Sequence, residues 1–322
     1  MALKIGFIGT GGIARAHMDA LDDIAEAQVV ACADVDPDRA AQAAARFAGA
    51  ASYASALQML DAHELDAAYV CVPPHAHGEI ELALIERRIP FLVEKPIGND
   101  RKTPLRILEA LQPADLITSV AYMTRYRENA RRLRDFVAQN EPVVARGAWV
   151  GGMPGVAWWR RKDQSGGQIM EQSTHVLDLA RFLFGEVESV YCAGRTGLIT
   201  DVEHYSVEDA SICTLVFESG LLCEVTSSCA VGAGEVSLEV FTRNGRAKLD
   251  DGNMNLTVQA AGQTTRYTSG EGGYKRENQV FIEALLSGDP SAIESPYEDG
   301  VRTQMVACAA NESIESGQPA RP

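Results

Sequence analysis

Leu3-Lys4-Ile5-Gly6-Phe7-Ile8-Gly9-Thr10-Gly11-Gly12-Ile13-Ala14 decides how this chain is read. Its first six residues form a nearly continuous apolar run, the pattern of a strand covered on both faces. A G-x-G-x-x-A turn follows at once, and a helical pattern over 12–22 opens out of it. A second strand pattern at 28–33 ends on Asp34. The glycine pattern alone is a weak signal. Strand, turn, helix, strand and terminal acid in that order make it a strong one for phosphate binding. Gly9 permits the tight turn, Gly11 lets backbone approach a phosphate without a Cβ in the way, and Ala14 lets the helix lie close to the strand. The helix N-terminus brings unpaired N–H groups and a positive dipole. Residues Gly9, Thr10, Gly11, Gly12, Ile13 and Ala14 are therefore the candidate pyrophosphate cradle of a dinucleotide. Asp34 is placed to accept hydrogen bonds from ribose hydroxyls. A carboxylate there repels an additional phosphate, so NAD is the preferred cofactor and NADP the alternative. Asp36, before Pro37, is the better candidate to cap the next helix.

Outward from this stretch the same rhythm continues to residue 121. Strand patterns at 67–72, 90–93 and 117–121 alternate with helical patterns at 37–47, 77–88 and 101–111. That alternation predicts an α/β, doubly wound, mainly parallel sheet. Beyond residue 122 the rhythm changes. A helix at 128–137, a strand at 143–150, a loop over 151–167 and a helix at 171–184 precede six strand patterns at 187–193, 210–217, 221–229, 236–241, 247–249 and 256–260. Glu218-Ser219-Gly220 and Arg243-Asn244-Gly245 read as hairpin turns. Two more helices, 275–286 and 297–316, close the chain. The prediction is a Rossmann domain over 1–121 and an α+β domain over 122–322 with a large, mostly antiparallel open sheet. The last helix is a candidate to pack back on the first domain.

Composition narrows the function. A net charge of −15 over 322 residues argues against nucleic acid, which requires clustered Lys and Arg. The arginines from Arg125 to Arg134 alternate with Glu128 and Asp135 and read as a solvated helix face. Seven cysteines, an odd number without a C-x-x-C, fit buried thiols in a reducing cytoplasm better than a disulfide framework. The chain enters a strand at its start, so no signal peptide is expected, and no apolar run is long enough to span a membrane.

Two groups carry candidate chemistry. Lys95 follows the strand at 90–93, at the carboxyl end of a parallel strand, where ligands bind in such sheets. Pro96 keeps it out of helical geometry. A lysine here can hold a hydroxyl and stabilise an alkoxide. Glu171, His175 and Asp178 fall on one stripe of the predicted helix, after Gly166-Gly167, and histidine readily exchanges protons near neutral pH. No tyrosine has a lysine four residues on, as a short-chain dehydrogenase would require, and no ligand set for zinc stands out. No metal is expected.

Together these motifs resemble the Gfo/Idh/MocA family of glucose–fructose oxidoreductase, inositol dehydrogenase and rhizopine-catabolism proteins. The resemblance covers essentially the whole chain. It rests on the glycine turn, on Val72-Pro73-Pro74-His75-Ala76-His77, on Glu94-Lys95-Pro96, on Arg125 in Tyr122-Met123-Thr124-Arg125-Tyr126, and on Gly166-Gly167 through Glu171, His175 and Asp178. It implies hydride transfer between NAD(P) and a hydroxyl or keto group of a sugar, inositol or related polyol. Lys95 would hold the substrate hydroxyl, His175 would be the general acid/base, and Glu171 the supporting carboxylate. Val72, Pro73, Pro74, His77, Glu94, Lys95 and Arg125 would contact cofactor, with His75 structural or exposed. Trp159, Arg160 and Asp178 are candidate substrate contacts. The peptide before Pro96 is often cis in this family, and its members commonly pair through the second-domain sheet, implying a homodimer or homotetramer. The chain departs from the family pattern at Glu171, usually Asp, and at Ser173, usually Gly. Alternatives on the same scaffold are glycoside cleavage with recycled NAD and a non-enzymatic dinucleotide-sensing regulator; retention of both Lys95 and His175 argues against the latter.

Overall fold

Strand β1 (Leu3–Ile8) buries four successive residues from Ile5 onward, as expected for a strand covered on both faces. A computed structural model of the chain describes residues 2–268 and 272–322 and shows what covers it. The strand lies parallel between β2 (Ala27–Ala33) and β4 (Ala67–Val70). With β3 (Ala51–Tyr53), β5 (Phe91–Val93) and β6 (Thr118–Val120) they make a parallel six-stranded sheet of order β3-β2-β1-β4-β5-β6. The order reverses between β1 and β4, which makes the carboxyl ends of those strands the natural ligand crevice. Helices α1 (Gly12–Leu21), α2 (Pro37–Ala44), α3 (Ala56–Ala62), α4 (Glu79–Glu86) and α5 (Lys102–Leu111) are the crossovers.

The sequence reading passes over β3 and α3. Three residues give no periodicity, and β3 owes its strand conformation to pairing with β2. Helix α3 has seven residues and is started by Ser55, whose hydroxyl accepts the Gln58 N–H. Asp36 caps α2 by accepting from the N–H groups of Asp38 and Arg39, as expected.

The second sheet has eight strands: β7 (Pro142–Val150), β8 (Val187–Arg195), β9 (Ala210–Phe217), β10 (Leu222–Ser228), β11 (Val236–Thr242), β12 (Gly245–Asp250), β13 (Asn255–Ala260) and β14 (Gln263–Thr268). Their order is β14-β13-β12-β11-β7-β10-β9-β8, antiparallel except where β10 runs parallel to β7. Strand β14 is polar and almost wholly exposed, which hides it in the sequence. It is held by a two-residue turn in which Ala261 and Gly262 both have positive φ, the geometry a tight hairpin favours. One face buries Val190, Cys213, Leu215, Val225, Leu238 and Val240 against α6 (Glu128–Gln139) and α8 (Thr174–Phe184). The other exposes Tyr191, Ile212 and Leu222. A short helix, α7 (Lys162–Ser165), precedes α8.

Two compact units result. The first comprises the chain to Gly98, Lys102–Met123 and Gly273–Val301; the second comprises Asn99–Arg101, Thr124–Gly272 and Arg302–Pro322. A single boundary after residue 121 therefore does not describe them. Helix α9 (Gly273–Ser287) packs on α1 and belongs to the first unit. The last helix, α10 (Tyr297–Ser316), gives residues 297–301 to the first unit and the rest to the second.

The expectation of no disulfide is corrected at one place. Cys192 on β8 and Cys213 on β9 stand directly opposite each other and are bonded. Their partnership depends on strand register, which cysteine spacing does not reveal. The remaining five cysteines are free and buried.

Two contacts test how tightly these units are built. Gly147 on β7 allows α8 to approach so closely that a Cβ there would lie 2.4 Å from Val176 Cγ1. Val176 is buried and β-branched, so it has little freedom to yield. Gly147→Ala is expected to cost about 1–3 kcal/mol by overpacking, read as a lowered Tm, with part recovered in Gly147→Ala/Val176→Ala. In the loop after β4, His77 Nδ1 lies 2.5 Å from Glu81 Oε1, and Gly78 N–H donates to Glu81 Oε2 at 2.7 Å. Burial pushes the Glu81 carboxyl up, but the charge and N–H of His77 and the Gly78 N–H outweigh it and hold the group below the usual carboxylate range. A carboxylate whose pKa is depressed by folding stabilises the fold above its unfolded pKa and loses that contribution as pH falls through the folded value. Glu81→Gln is expected to cost about 2 kcal/mol at neutral pH and to flatten the acid limb of a Tm–pH curve. An unchanged acid limb would contradict this.

Candidate active site

In the first unit the glycine turn is set by one close approach. Gly9 has φ 83°, and a Cβ there would lie 2.3 Å from the Cys71 carbonyl oxygen. Only glycine lets β1 turn beside the end of β4. A Cβ on Gly11 or Gly12 would meet nothing within 4 Å, so open space lies over the start of α1. Gly11 is the N-cap and supplies no capping side chain, and α1 is ten residues long. Ala14 is fully buried. Uncapped N–H groups facing open space at a glycine-lined helix start fit a pyrophosphate.

Thr10 joins this turn to β2. Its N–H and hydroxyl donate to Asp34 Oδ2 at 2.8 and 3.0 Å, and the Asp36 N–H donates to Asp34 Oδ1 at 2.9 Å. Asp34 is thus held in one orientation at the strand end, with both lone pairs of Oδ2 taken by Thr10 while Oδ1 keeps one for a further donor. Pro74 and His77 are buried, Val72 and Pro73 half-buried, and His75 exposed. The Nε2 of His77 is buried and meets no hydrogen-bond partner among the described residues. An orphaned ring nitrogen in the loop after β4 also fits a bound polar ligand. Burial pushes the neighbouring Cys71 thiol well above its usual range, which favours the neutral thiol.

Lys95 follows β5 and is half-buried; the Lys95–Pro96 peptide is cis, as the resemblance implies. Glu94 is buried. Its Oε2 accepts the Lys95 N–H at 3.1 Å, and its Oε1 lies 3.0 Å from His17 Nε2. His17, on α1 and fully buried, is a residue the sequence reading missed. A lone histidine on the inner stripe of an amphipathic helix gives no signal beyond core packing.

In the second unit, Gly166 and Gly167 both have positive φ and lead into a π-helical turn, Ile169–Ser173, before α8 begins. This corrects the single regular helix expected from 171 onward. Glu171 lies in the wider turn, and its Oε2 accepts Trp159 Nε1–H at 2.7 Å. This nitrogen–carboxylate bond fixes the Glu171 side chain. His175 is nearly buried, its ring stacked on Trp149 with centroids 5.4 Å apart and planes 20° from parallel. The Ser173 hydroxyl hydrogen-bonds the Ser227 hydroxyl of β10 at 2.7 Å.

Arg125 and Asp178 face each other. Asp178 is fully buried and accepts from Arg125 Nε at 2.8 Å, Arg125 Nη2 at 2.6 Å and the Thr303 hydroxyl at 2.9 Å. This bidentate pair turns the charges of a candidate cofactor residue and a candidate substrate residue toward one another. Trp159 is fully buried among Val207 and Cys229, while Arg160 is half-buried and its carbonyl accepts the Ser206 N–H. Among the described residues, no group of three or more His, Cys, Asp or Glu side chains could hold a metal ion, and no helix is long and apolar enough to cross a membrane.

Known proteins resemble this chain over almost its whole length. The family model described as an oxidoreductase family with an NAD-binding Rossmann fold matches residues 3–122, and the GFO/IDH/MocA C-terminal domain matches residues 130–248. The chain is 27% identical to a myo-inositol 2-dehydrogenase of Thermotoga maritima over 97% of its own length and 96% of that protein's. It is 24% identical to an NADP-linked D-xylose 1-dehydrogenase of Haloferax volcanii over 98% of both chains. A levoglucosan dehydrogenase solved with NADH and levoglucosan superposes with a TM-score of 0.90 at 20% identity, covering 100% of this chain and 99% of that one; at that identity the likeness concerns the fold. The two family models lie end to end over most of the chain, and the protein belongs to the GFO/IDH/MocA family of oxidoreductases, with an NAD-binding Rossmann fold at its N-terminal side.

Proposed function

We propose that this protein is an NAD-linked dehydrogenase of cyclic polyols, with an inositol as the leading substrate class. The observation that carries the reading is the Glu94–Lys95 arrangement: a lysine at the carboxyl end of a parallel strand, its backbone fixed by the preceding carboxylate, in the same sheet as an open glycine turn. The full-length similarity to an inositol dehydrogenase supports the substrate class.

Bound NAD supplies a hydride acceptor at nicotinamide C4. The protein's part is proton management and orientation. The Lys95 ammonium donates to the substrate hydroxyl oxygen and steadies the charge that develops as its proton leaves. The imidazole of His175 takes that proton during oxidation and returns it during reduction. Stacking on Trp149 restricts its ring, which favours a fixed proton-transfer geometry. Glu171 is the supporting carboxylate, aimed by Trp159. Arg125 and Asp178 hold α8 in place through their bidentate pair. His77 offers its open Nε2 to the cofactor. Asp34, already oriented by Thr10, accepts from the ribose hydroxyls and disfavours a phosphate there. The exposed apolar side chains Tyr191, Ile212 and Leu222 suit pairing of the second-unit sheet with another copy of the chain.

The reading is checked by incubating the protein with NAD and a panel of inositols, sugars and their keto forms while following NADH absorbance. A cyclic polyol is expected to give sustained NADH formation. Lys95→Met and His175→Ala are each expected to lower kcat by ~10²–10⁴-fold while NADH still binds, as judged by fluorescence titration. Near-native turnover by either variant would remove that residue from the mechanism. With the active substrate, kcat/KM is expected to favour NAD over NADP by at least ~10-fold, and Asp34→Ala to narrow the gap. Tighter use of NADP by the unaltered protein would refute the role given to Asp34.

A further inference from the structure

The fully buried imidazole of His17 plays no part in the chemistry above, yet it connects three elements of the first unit. It projects from α1, the helix whose N-terminus opens onto the phosphate cradle. On α9, Asn278 Nδ2 lies 2.9 Å from His17 Nδ1 and Asn278 Oδ1 lies farther, at 3.2 Å. On the other side of the ring, Nε2 lies 3.0 Å from Glu94 Oε1. The rings of Tyr69, at 5.5 Å, and Tyr274, at 5.6 Å and edge-on, wall it in.

The hydrogen bonds decide which nitrogen carries the proton. Asn278 Nδ2 also donates to the Tyr274 carbonyl at 2.8 Å. A carbonyl only accepts, so the amide NH2 faces Tyr274 and His17 together. His17 Nδ1 therefore accepts, and the proton resides on Nε2, where it is donated to Glu94. Glu94 is a buried carboxylate whose second oxygen takes the Lys95 N–H. It thus receives one donor from His17 and one from the backbone it positions. A buried carboxylate deprived of one donor shifts toward another or toward water.

We propose that His17 is a positioning residue for Lys95. Through Glu94 it ties the placement of the lysine to α1 and α9, so that the phosphate-binding helix and the hydroxyl-binding lysine hold one register. The catalytic consequence rests on the dehydrogenase reading given above; the tie between His17 and the Lys95 backbone does not. The same displacement that breaks the Glu94 bond moves Lys95, and misplacement on the order of 1 Å costs about 100-fold in rate where geometry is demanding.

Glutamine and asparagine separate the two ring nitrogens. The terminal amide introduced by His17→Gln reaches the Nε2 position and can donate to Glu94, whereas that introduced by His17→Asn reaches only the Nδ1 position. With the holoenzyme and its active polyol, His17→Asn is expected to lower kcat at least ~10-fold with the KM for NAD changed less than about 3-fold. His17→Gln is expected to recover most of that loss. Hydrogen exchange at the Lys95 amide, followed by mass spectrometry on peptides spanning it, is expected to accelerate at least ~10-fold in His17→Asn and little in His17→Gln. Equal kcat in the two variants, or unchanged exchange in His17→Asn, overturns the proposal. If no polyol is turned over by the unaltered protein, the dehydrogenase reading falls while the exchange comparison still decides the positioning role. Should His17→Asn not fold, the ¹⁵N-histidine spectrum of the unaltered protein decides: an Nε2–H tautomer at His17 is expected, and an Nδ1–H tautomer refutes the arrangement.

Discussion

The first unit depends on one backbone contact, the passage of Gly9 against the carbonyl of Cys71. At 2.3 Å from that oxygen there is no place for a Cβ, and φ at Gly9 is positive, so both space and conformation demand glycine. This contact turns the chain off the end of β1 and aims α1. What α1 carries then follows: open N–H groups at its start, Ala14 against the sheet and His17 toward Glu94. Thr10 ties the same turn to Asp34 at the end of β2. The glycine turn, Asp34 and the Glu94–Lys95 loop are thereby parts of one hydrogen-bonded frame.

The second unit solves a different problem, laying the helix that carries His175 against an open sheet. Glycine at position 147 lets α8 sit directly on β7. The end of the helix beyond His175 is anchored by buried charge. Asp178 takes both Arg125 and Thr303, and Thr303 in turn receives Arg181 Nη1 at 2.7 Å. Removing such charges from water largely cancels the Coulombic gain, so the network contributes location more than stability. The π-helical turn before α8 carries Glu171, whose carboxylate takes the Trp159 indole N–H.

Much of the fold was legible because it is encoded over short range. Continuous apolar runs, glycine placement and hairpin turns gave five of the parallel-sheet strands and most of the antiparallel sheet close to their observed limits. The missed elements share a cause. Strands β3 and β14 and helix α3 are too short or too polar to carry a periodic signal and are held by neighbours. The Cys192–Cys213 bond needs strand register, and the return of α9 to the first unit needs the packing of two helices far apart in sequence. At the candidate site the residue types were legible at Lys95, His175 and Asp34, but partners were not: that Arg125 meets Asp178, that Trp159 meets Glu171, and that His17 meets Glu94.

By itself the sequence determined the class of fold, the dinucleotide turn and the residues able to exchange a proton or stabilise an alkoxide, because these follow from local periodicity, from the steric needs of a turn and from side-chain chemistry. Tertiary structure alone decided which charges neutralise each other, which ring nitrogen of His17 holds the proton and which cysteines meet. Those outcomes depend on distances between residues remote in the chain, and a distance is fixed only when helices and strands have packed.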